Sequence, residues 1–239
     1  MKCFFNKIIY LVVIVAIGAS AGAAVAAGDK PKGQYDKSWM VRVRGINYHP
    51  RENADSKPLQ TGGLSLARTG VRMDNDILPE VDLVYRFHRR LSIEGTMSIT
   101  RHDVSIRGST LGLSHGNTLS EPLLLSPTFT LQYHLRPFGP IEPYLGVGVN
   151  YTTFADEDPS PQVRQALGAQ TEVHFDDDVS LVLQAGLDLP IKKNLSVNVD
   201  LRYIDSETAI NLEPAGGLPV KSEFKIQPVI VGVGLGWSF

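Results

Sequence analysis

The chain has 239 residues, 43% hydrophobic and 20% charged, with a formal net charge of -2. That length suits one large domain or two small ones, and no basic block or stripe argues for nucleic acid. Mean hydropathy is -0.04, and beyond the N-terminus no apolar run approaches the roughly 18 residues of a membrane helix; a soluble protein would satisfy the same tests.

The first element is a secretory leader. Lys2 and Lys7 precede an apolar core from Ile8 to Ile17, and Val25-Ala26-Ala27 fits the small-x-small rule, which places cleavage after Ala27. An uncleaved anchor is the competing reading, and the short core argues against it. The sole cysteine, Cys3, leaves with the leader and lies too far upstream to mark a lipoprotein, so the exported chain relies on no disulfide. Residues 28–38 then form a short periplasmic segment, and 39–239 the folded domain.

From Trp39 onward the hydrophobic signal has period two, the signature of strands with unlike faces. In WMVRVRGINY, Trp39, Val41 and Val43 oppose Arg42 and Arg44; in EVDLVYRF, Val81, Leu83, Tyr85 and Phe87 oppose Glu80, Asp82 and Arg86. LSIEGTMSIT sets Ile93, Met97 and Ile99 against Glu94 and Thr96, and TFTLQYHL sets Phe129, Leu131 and Tyr133 against Thr130, Gln132 and His134. PYLGVGVNYT, VSLVLQAGLDL and LSVNVDLRY continue the alternation, and VIVGVGLGWSF closes it, giving about eight strands. Phe224 and Ile226 fall on the opposite parity to Val229, so a break is expected at Pro228, which cannot donate to a ladder.

Short turns near 88–90, 136–142 and 190–194 alternate with long polar loops near 50–78, 103–125, 155–177 and 206–222. Strands of about ten residues, long loops at one end only, and aromatic residues near strand ends together predict an all-β fold: a transmembrane antiparallel up-and-down barrel. Tyr48, Phe87, Tyr133, Tyr151, Tyr203, Trp237 and Phe239 are the expected girdles. Arginine on the lipid face costs about 2–4 kcal/mol at the midplane, so the faces carrying Arg42, Arg44, Arg86 and Arg202 must look inward. Closure satisfies every backbone donor and acceptor that hydrocarbon would leave unpaired.

At SPTFTLQYHL with PYLGVGVNYTTF (126–154), LQAGLDLPIKKNLSVNVDLRYID (183–205) and KIQPVIVGVGLGWSF (225–239), the sequence resembles the outer membrane protein W family; before residue 120 only the order of elements and Asn75-Asp76 are similar. The resemblance implies an eight-stranded barrel of monomeric size in the outer membrane of Gram-negative bacteria. It further implies passage of small hydrophobic molecules, and a C-terminal strand (Val231, Val233, Leu235, Trp237, Phe239) read by the barrel-assembly machinery. The same residues simply facing lipid is compatible with that role.

Eight strands enclose an interior that side chains just fill. Arg42, Arg44, Arg86, Glu94 and Asp188, with Asp200 and Arg202 above them, are expected to pair as a lumen plug, which argues against a wide porin. The inward glycines Gly146, Gly148, Gly186, Gly232, Gly234 and Gly236 either relieve crowding or leave a narrow passage. A solute stopped by a plug needs a sideways exit into the bilayer, for which Pro127 and Pro228 are the candidates; the alternative is that these prolines merely start or kink their strands. Leu111, Leu113, Leu123, Leu124, Leu125, Phe154, Leu167 and Phe175 form either an apolar mouth or a hood packed on itself.

The acidic runs Asp156-Glu157-Asp158 and Asp176-Asp177-Asp178 suit either a solvated loop or a cation bridging to lipopolysaccharide phosphates. His88, Arg89, Arg90, Lys192 and Lys193 lie on the short-turn side, facing phospholipid headgroups or solvent. His102, Asp103 and Ser105, or His134 beside Ser126, are the residues a hydrolase would use, but no nucleophile setting or metal-ligand spacing accompanies them. No enzyme, cofactor or metal is therefore expected. The partners expected are outer-membrane lipid, lipopolysaccharide, the assembly machinery and small apolar solutes. The rival reading is a surface barrel whose long loops bind bacteriocins, phage or host surfaces.

Overall fold

The computed structural model describes residues 38–49, 60–61, 64–65, 70–73, 76–101, 103–107, 112–214 and 217–239. The leader, most of the 28–38 segment, Asn75, His102 and Leu111 lie outside these residues. In chain order the strands are β1 (Ser38–His49), β2 (Gln60–Thr61), β3 (Leu64–Ser65), β4 (Gly70–Met73), β5 (Asp76–His88), β6 (Leu91–Arg101), β7 (Val104–Arg107) and β8 (Thr118–Ser120). There follow β9 (Leu123–His134), β10 (Glu142–Ala155), helix α1 (Pro161–Leu167), β11 (Glu172–Phe175), β12 (Asp178–Lys192), β13 (Leu195–Ile204), β14 (Glu207–Glu213), β15 (Val220–Lys225) and β16 (Val229–Ser238).

Eight of these close a barrel in the order β1-β16-β13-β12-β10-β9-β6-β5, with β5 returning to β1. Every neighbouring pair is antiparallel. The terminal strands seal the cylinder through a run from Met40 against Ser238 to His49 against Val229. Alternation decides the faces: Val43, Val81, Phe129, Val149, Val233 and Trp237 stand out from the wall, while Arg42, Glu80, Glu94, Gln132, Asn198 and Arg202 are buried within it. A soluble chain would not display so continuous an apolar belt. At the short-turn end, the Trp39 ring lies 4.4 Å from Tyr85, and Tyr85 lies 6.4 Å from Phe87, part of an aromatic girdle. Tyr48 does not belong to a girdle; it shares parity with Arg42, Arg44 and Ile46 and is buried in the interior.

The long connections are more structured than their polar composition suggests. β11, β14, β15, β2 and β3 form a five-stranded sheet, and β4, β7 and β8 a three-stranded one. Short alternating runs explain them: Val173 and Phe175 in β11, and Ile210 and Leu212 in β14, are buried. Helix α1 is capped by Ser160, whose Oγ accepts the Val163 amide, and starts on Pro161. Leu113, Leu119, Leu124, Phe154, Val163, Val173, Phe175 and Ile210 pack into one apolar cluster, which continues into the upper barrel as Ile46, Tyr48, Val182, Ile204 and Ile230.

Candidate functional site

The lower lumen is a hydrogen-bonded charged floor. Arg42 Nη1 donates to Glu94 Oε2 at 2.5 Å and Nη2 to Asp188 Oδ2 at 2.7 Å, and its guanidinium lies 5.3 Å from the centre of the Tyr144 ring. Arg44 sits among four carboxylates: Asp82 at 2.7 Å, Glu80 at 3.1 Å, Asp200 at 3.3 Å and Glu94 at 3.4 Å. Arg202 Nε donates to Asp200 at 2.9 Å, and its Nη2 pairs with Glu80. Neutral groups complete the layer. Gln184 Nε2 donates to Glu94 at 2.7 Å and to Asp200 at 2.8 Å, and Tyr144 donates to Asp200 at 2.8 Å. Asn198 Nδ2 donates to Asp188 at 3.0 Å.

Three guanidiniums thus face five carboxylates, with side chains at most 3% exposed. Burying charge is tolerable only with such pairing, and the pairing fills the passage. The glycines do not reopen it. A Cβ on Gly186 would stand 2.4 Å from the Tyr144 ring, so that glycine makes room for the tyrosine; a Cβ on Gly234 would meet the Val43 carbonyl oxygen at 2.0 Å.

Arg86 is not part of this floor. It lies at the short-turn mouth, half-exposed, donating to Glu142 at 3.2 Å and meeting His134 Nδ1 at 3.0 Å. Its position near the end of β5 carries it past the layer that Arg42 and Arg44 occupy. Glu80, Asp82, Tyr144, Gln184 and Asn198 belong to the floor although sequence reasoning did not single them out. Their parity, shared with Arg42, Glu94 and Gly146, was the available signal.

The β9–β10 ladder is interrupted at Pro127. The β9–β10 ladder pairs Thr128 with Asn150 and Leu125 with Thr153, and skips the two positions between. Register is the same on both sides, so this is no bulge. Both skipped pairs, Pro127–Tyr151 and Ser126–Thr152, need the one bond that proline's missing N–H would make to Tyr151. On its other edge β9 stays paired, Pro127 with Met97 and Ser126 with Ser98. A side-chain latch spans the gap: Asn150 Nδ2 donates to Ser126 Oγ at 2.7 Å, Thr128 Oγ1 at 2.8 Å and the Pro127 carbonyl at 3.3 Å. Thr152 donates in turn to Asn150 Oδ1 at 2.8 Å.

Pro228 behaves differently. It precedes β16 after Gln227, whose φ is 37°, and its carbonyl accepts the Ile204 amide at 3.2 Å. The strand break expected there is present, and the backbone bridges to β13. Of the loop residues, Leu113, Leu124, Leu125, Phe154 and Phe175 are buried, Phe154 stacking on Phe175 with centroids 4.9 Å apart. Leu167 packs against the same cluster, and Leu123 is half-buried at the start of β9. The acidic loop residues bond to the protein: Asp156 pairs with Arg101, Glu157 with His174, and Asp178 accepts from Ser206 and the Glu207 amide. His134 bonds to Ser92, not Ser126; eight residues along one strand put His134 and Ser126 on the order of 26 Å apart.

A closed eight-stranded cylinder with an apolar belt and a charged interior defines an outer-membrane β-barrel. Residues 38–239 match the model of the OmpW family, and the chain belongs to that family of non-enzymatic outer-membrane barrels. It is 29% identical to outer membrane protein W of Vibrio cholerae over 96% of this chain and 97% of that one. It is 24% identical to outer membrane protein AlkL of Ectopseudomonas oleovorans, over 98% and 97%. The crystal structure of OprG from Pseudomonas aeruginosa shares the fold with a TM-score of 0.76 at 24% identity, covering 88% of this chain and 99% of that one.

Proposed function

We propose that this barrel carries small hydrophobic molecules across the outer membrane, taking them in on the loop side and releasing them sideways into the bilayer at the Pro127 gap. The single observation that supports the reading most is the pairing of a sealed charged floor with a β9–β10 ladder that is interrupted at Pro127 and bridged there by side chains. An axial path for an apolar solute would have to break several buried ion pairs. A lateral path meets the Asn150 latch and a ladder already short of one bond at Pro127.

The upper lumen supports the same reading. Above the floor, inward positions turn apolar at Ile46, Val182, Ile204 and Ile230 and run into the hood cluster that holds Leu113, Phe154 and Phe175, while those beside the gap stay polar at Thr128, Asn150, Thr152 and Ser180. That apolar column is the proposed solute route, with the hood as the element that opens. Pro228 supplies no comparable gap, so of the two prolines the exit is assigned to Pro127. In biogenesis, the alternate apolar positions Val231, Val233, Leu235 and Trp237, followed by Phe239, are proposed to be read by the assembly machinery. The hood is proposed to face lipopolysaccharide. Replacing Pro127 with valine restores the missing donor. Slower uptake of an alkane-type solute by cells carrying folded Pro127→Val supports the exit, and unchanged uptake rejects it.

A further inference from the structure

The short-turn end carries a second constellation that transport does not use. A cavity of about 300 Å³ is lined by Arg86, Arg89, Arg90, Arg136, His134 and Glu142, with Leu135 and Pro137 at its edge. That volume is at the lower end of the ligand-pocket range. Two turns build it, the Arg89-Arg90 turn between β5 and β6 and the 135–141 turn between β9 and β10. They are tied by the His134 amide, which donates to the Arg90 carbonyl at 2.9 Å. The 135–141 turn is itself closed by reciprocal Phe138–Ile141 backbone bonds at 2.8 and 3.1 Å. The cavity's walls therefore rest on backbone bonding.

The charges do not balance. Glu142 is matched by Arg86 at 3.2 Å. Arg90 donates to the Tyr133 hydroxyl at 3.0 Å, which leaves its charge uncompensated. Arg89 and Arg136 have no ion-pair or hydrogen-bond partner among the described residues. Three guanidiniums beyond the one that Glu142 neutralises thus converge on one concavity. Planar guanidinium forks match phosphate oxygens in pairs, the strongest use such groups have. The rim is apolar on its membrane side: Leu135 shares parity with the lipid-facing Tyr133 and Leu131, and Phe138, 82% exposed, projects from the same turn.

We infer that this cavity binds the phosphodiester head of a phospholipid in the periplasmic leaflet, with Arg89, Arg90 and Arg136 holding the phosphate and an acyl chain lying along Leu135 and Phe138. The apolar rim is what favours a lipid over a free phosphate, which has no use for it. The inference stands independently of the proposed transport route, since it involves neither the floor nor the gap. Occupancy would anchor the short-turn end at the membrane surface.

The test is native mass spectrometry of the whole folded protein in a neutral detergent, titrated with phosphatidylglycerol and, separately, with inorganic phosphate. Arg89→Gln with Arg136→Gln should lower phosphatidylglycerol retention by about tenfold or more, since two charge-assisted contacts are lost. Lys192→Gln with Lys193→Gln, on the β12–β13 turn outside the cavity, should leave retention near that of the unmodified protein. Equal losses in both double variants would mean general surface charge and overturn the site, as would no loss in either. Inorganic phosphate binding as tightly as the lipid would overturn the lipid assignment. Arg136→Gln alone keeps the test open if the double variant fails to fold, and must show an intermediate loss.

Discussion

Arg44 is the residue on which the floor depends most, and Arg44→Met tests that directly. Its guanidinium lies within 3.4 Å of carboxylate oxygens on Glu80, Asp82, Glu94 and Asp200, all buried. Asp82 accepts no well-aligned hydrogen bond, so the charge of Arg44 is its main compensation. At an effective dielectric of about 20, one such pair is worth about 4 kcal/mol of attraction at roughly 4 Å. Desolvation cancels much of that in the intact network, but removing one partner strands the others. A loss of about 3–5 kcal/mol is therefore expected, partly offset by the good packing of methionine. The floor would also pass from three cations against five anions to two against five, and the repelling carboxylates should admit water. The assay is urea unfolding in lipid vesicles, followed through Trp39 and Trp237, both on the lipid face, with single-barrel conductance alongside. Stability within about 1 kcal/mol of the unmodified protein, together with no cation-selective leak, would refute a floor held shut by charge pairing.

Asn150→Ala removes the latch without touching the ladder, so apolar flux into vesicles should rise while a sugar of similar size stays excluded; flux no faster than the parent's denies the latch its role. Gly186→Ala drives a Cβ to within 2.4 Å of the Tyr144 ring and hydroxyl and 2.8 Å of the Val199 carbonyl and should destabilise the barrel by about 1–3 kcal/mol, with Tyr144→Phe relieving at most the hydroxyl's share, as checked by the same urea titration. His174 in the hood has its pKa raised by hydrogen bonds to Glu157 and then Glu172. A raised folded-state value means its stabilisation is complete below the unfolded pKa near 6.5 and is lost as pH rises through the folded one. Limited proteolysis of the hood should accordingly be slower at pH 5 than at pH 8, and His174→Gln should abolish the difference.

Much of the barrel was legible because period two is a property of single strands. Arg42 and Arg44 against Val41 and Val43 state which face meets lipid before any partner is known. Closure was legible for the same reason, since eight such strands in hydrocarbon have nowhere else to place their edge groups. The floor was half legible. Arg42, Glu94, Asp188, Asp200 and Arg202 stood out as charges on inward parity, whereas Tyr144 and Gln184 carry no charge to mark them as members of an ion-pair layer. Arg86 was misassigned because parity fixes a face and not a height. The hood was least legible: two- to seven-residue strands such as β2 and β14 gain their pairing from distant segments, which local alternation does not specify. The upper apolar column at Ile46, Val182 and Ile204 was missed because a polar interior is the usual rule for these barrels.

Lateral release is tested most directly by stapling the wall where its ladder is interrupted. Ser126 and Thr152 face one another across the gap by register, and the only cysteine in the sequence is Cys3. Ser126→Cys with Thr152→Cys therefore gives one reducible bond between β9 and β10, at the spacing of a directly opposed strand pair. In vesicles, flux of an alkane-type solute should fall when the pair is oxidised and return on reduction, with polar solutes excluded throughout. Equal apolar flux in the oxidised and reduced states would show that the solute leaves by another path.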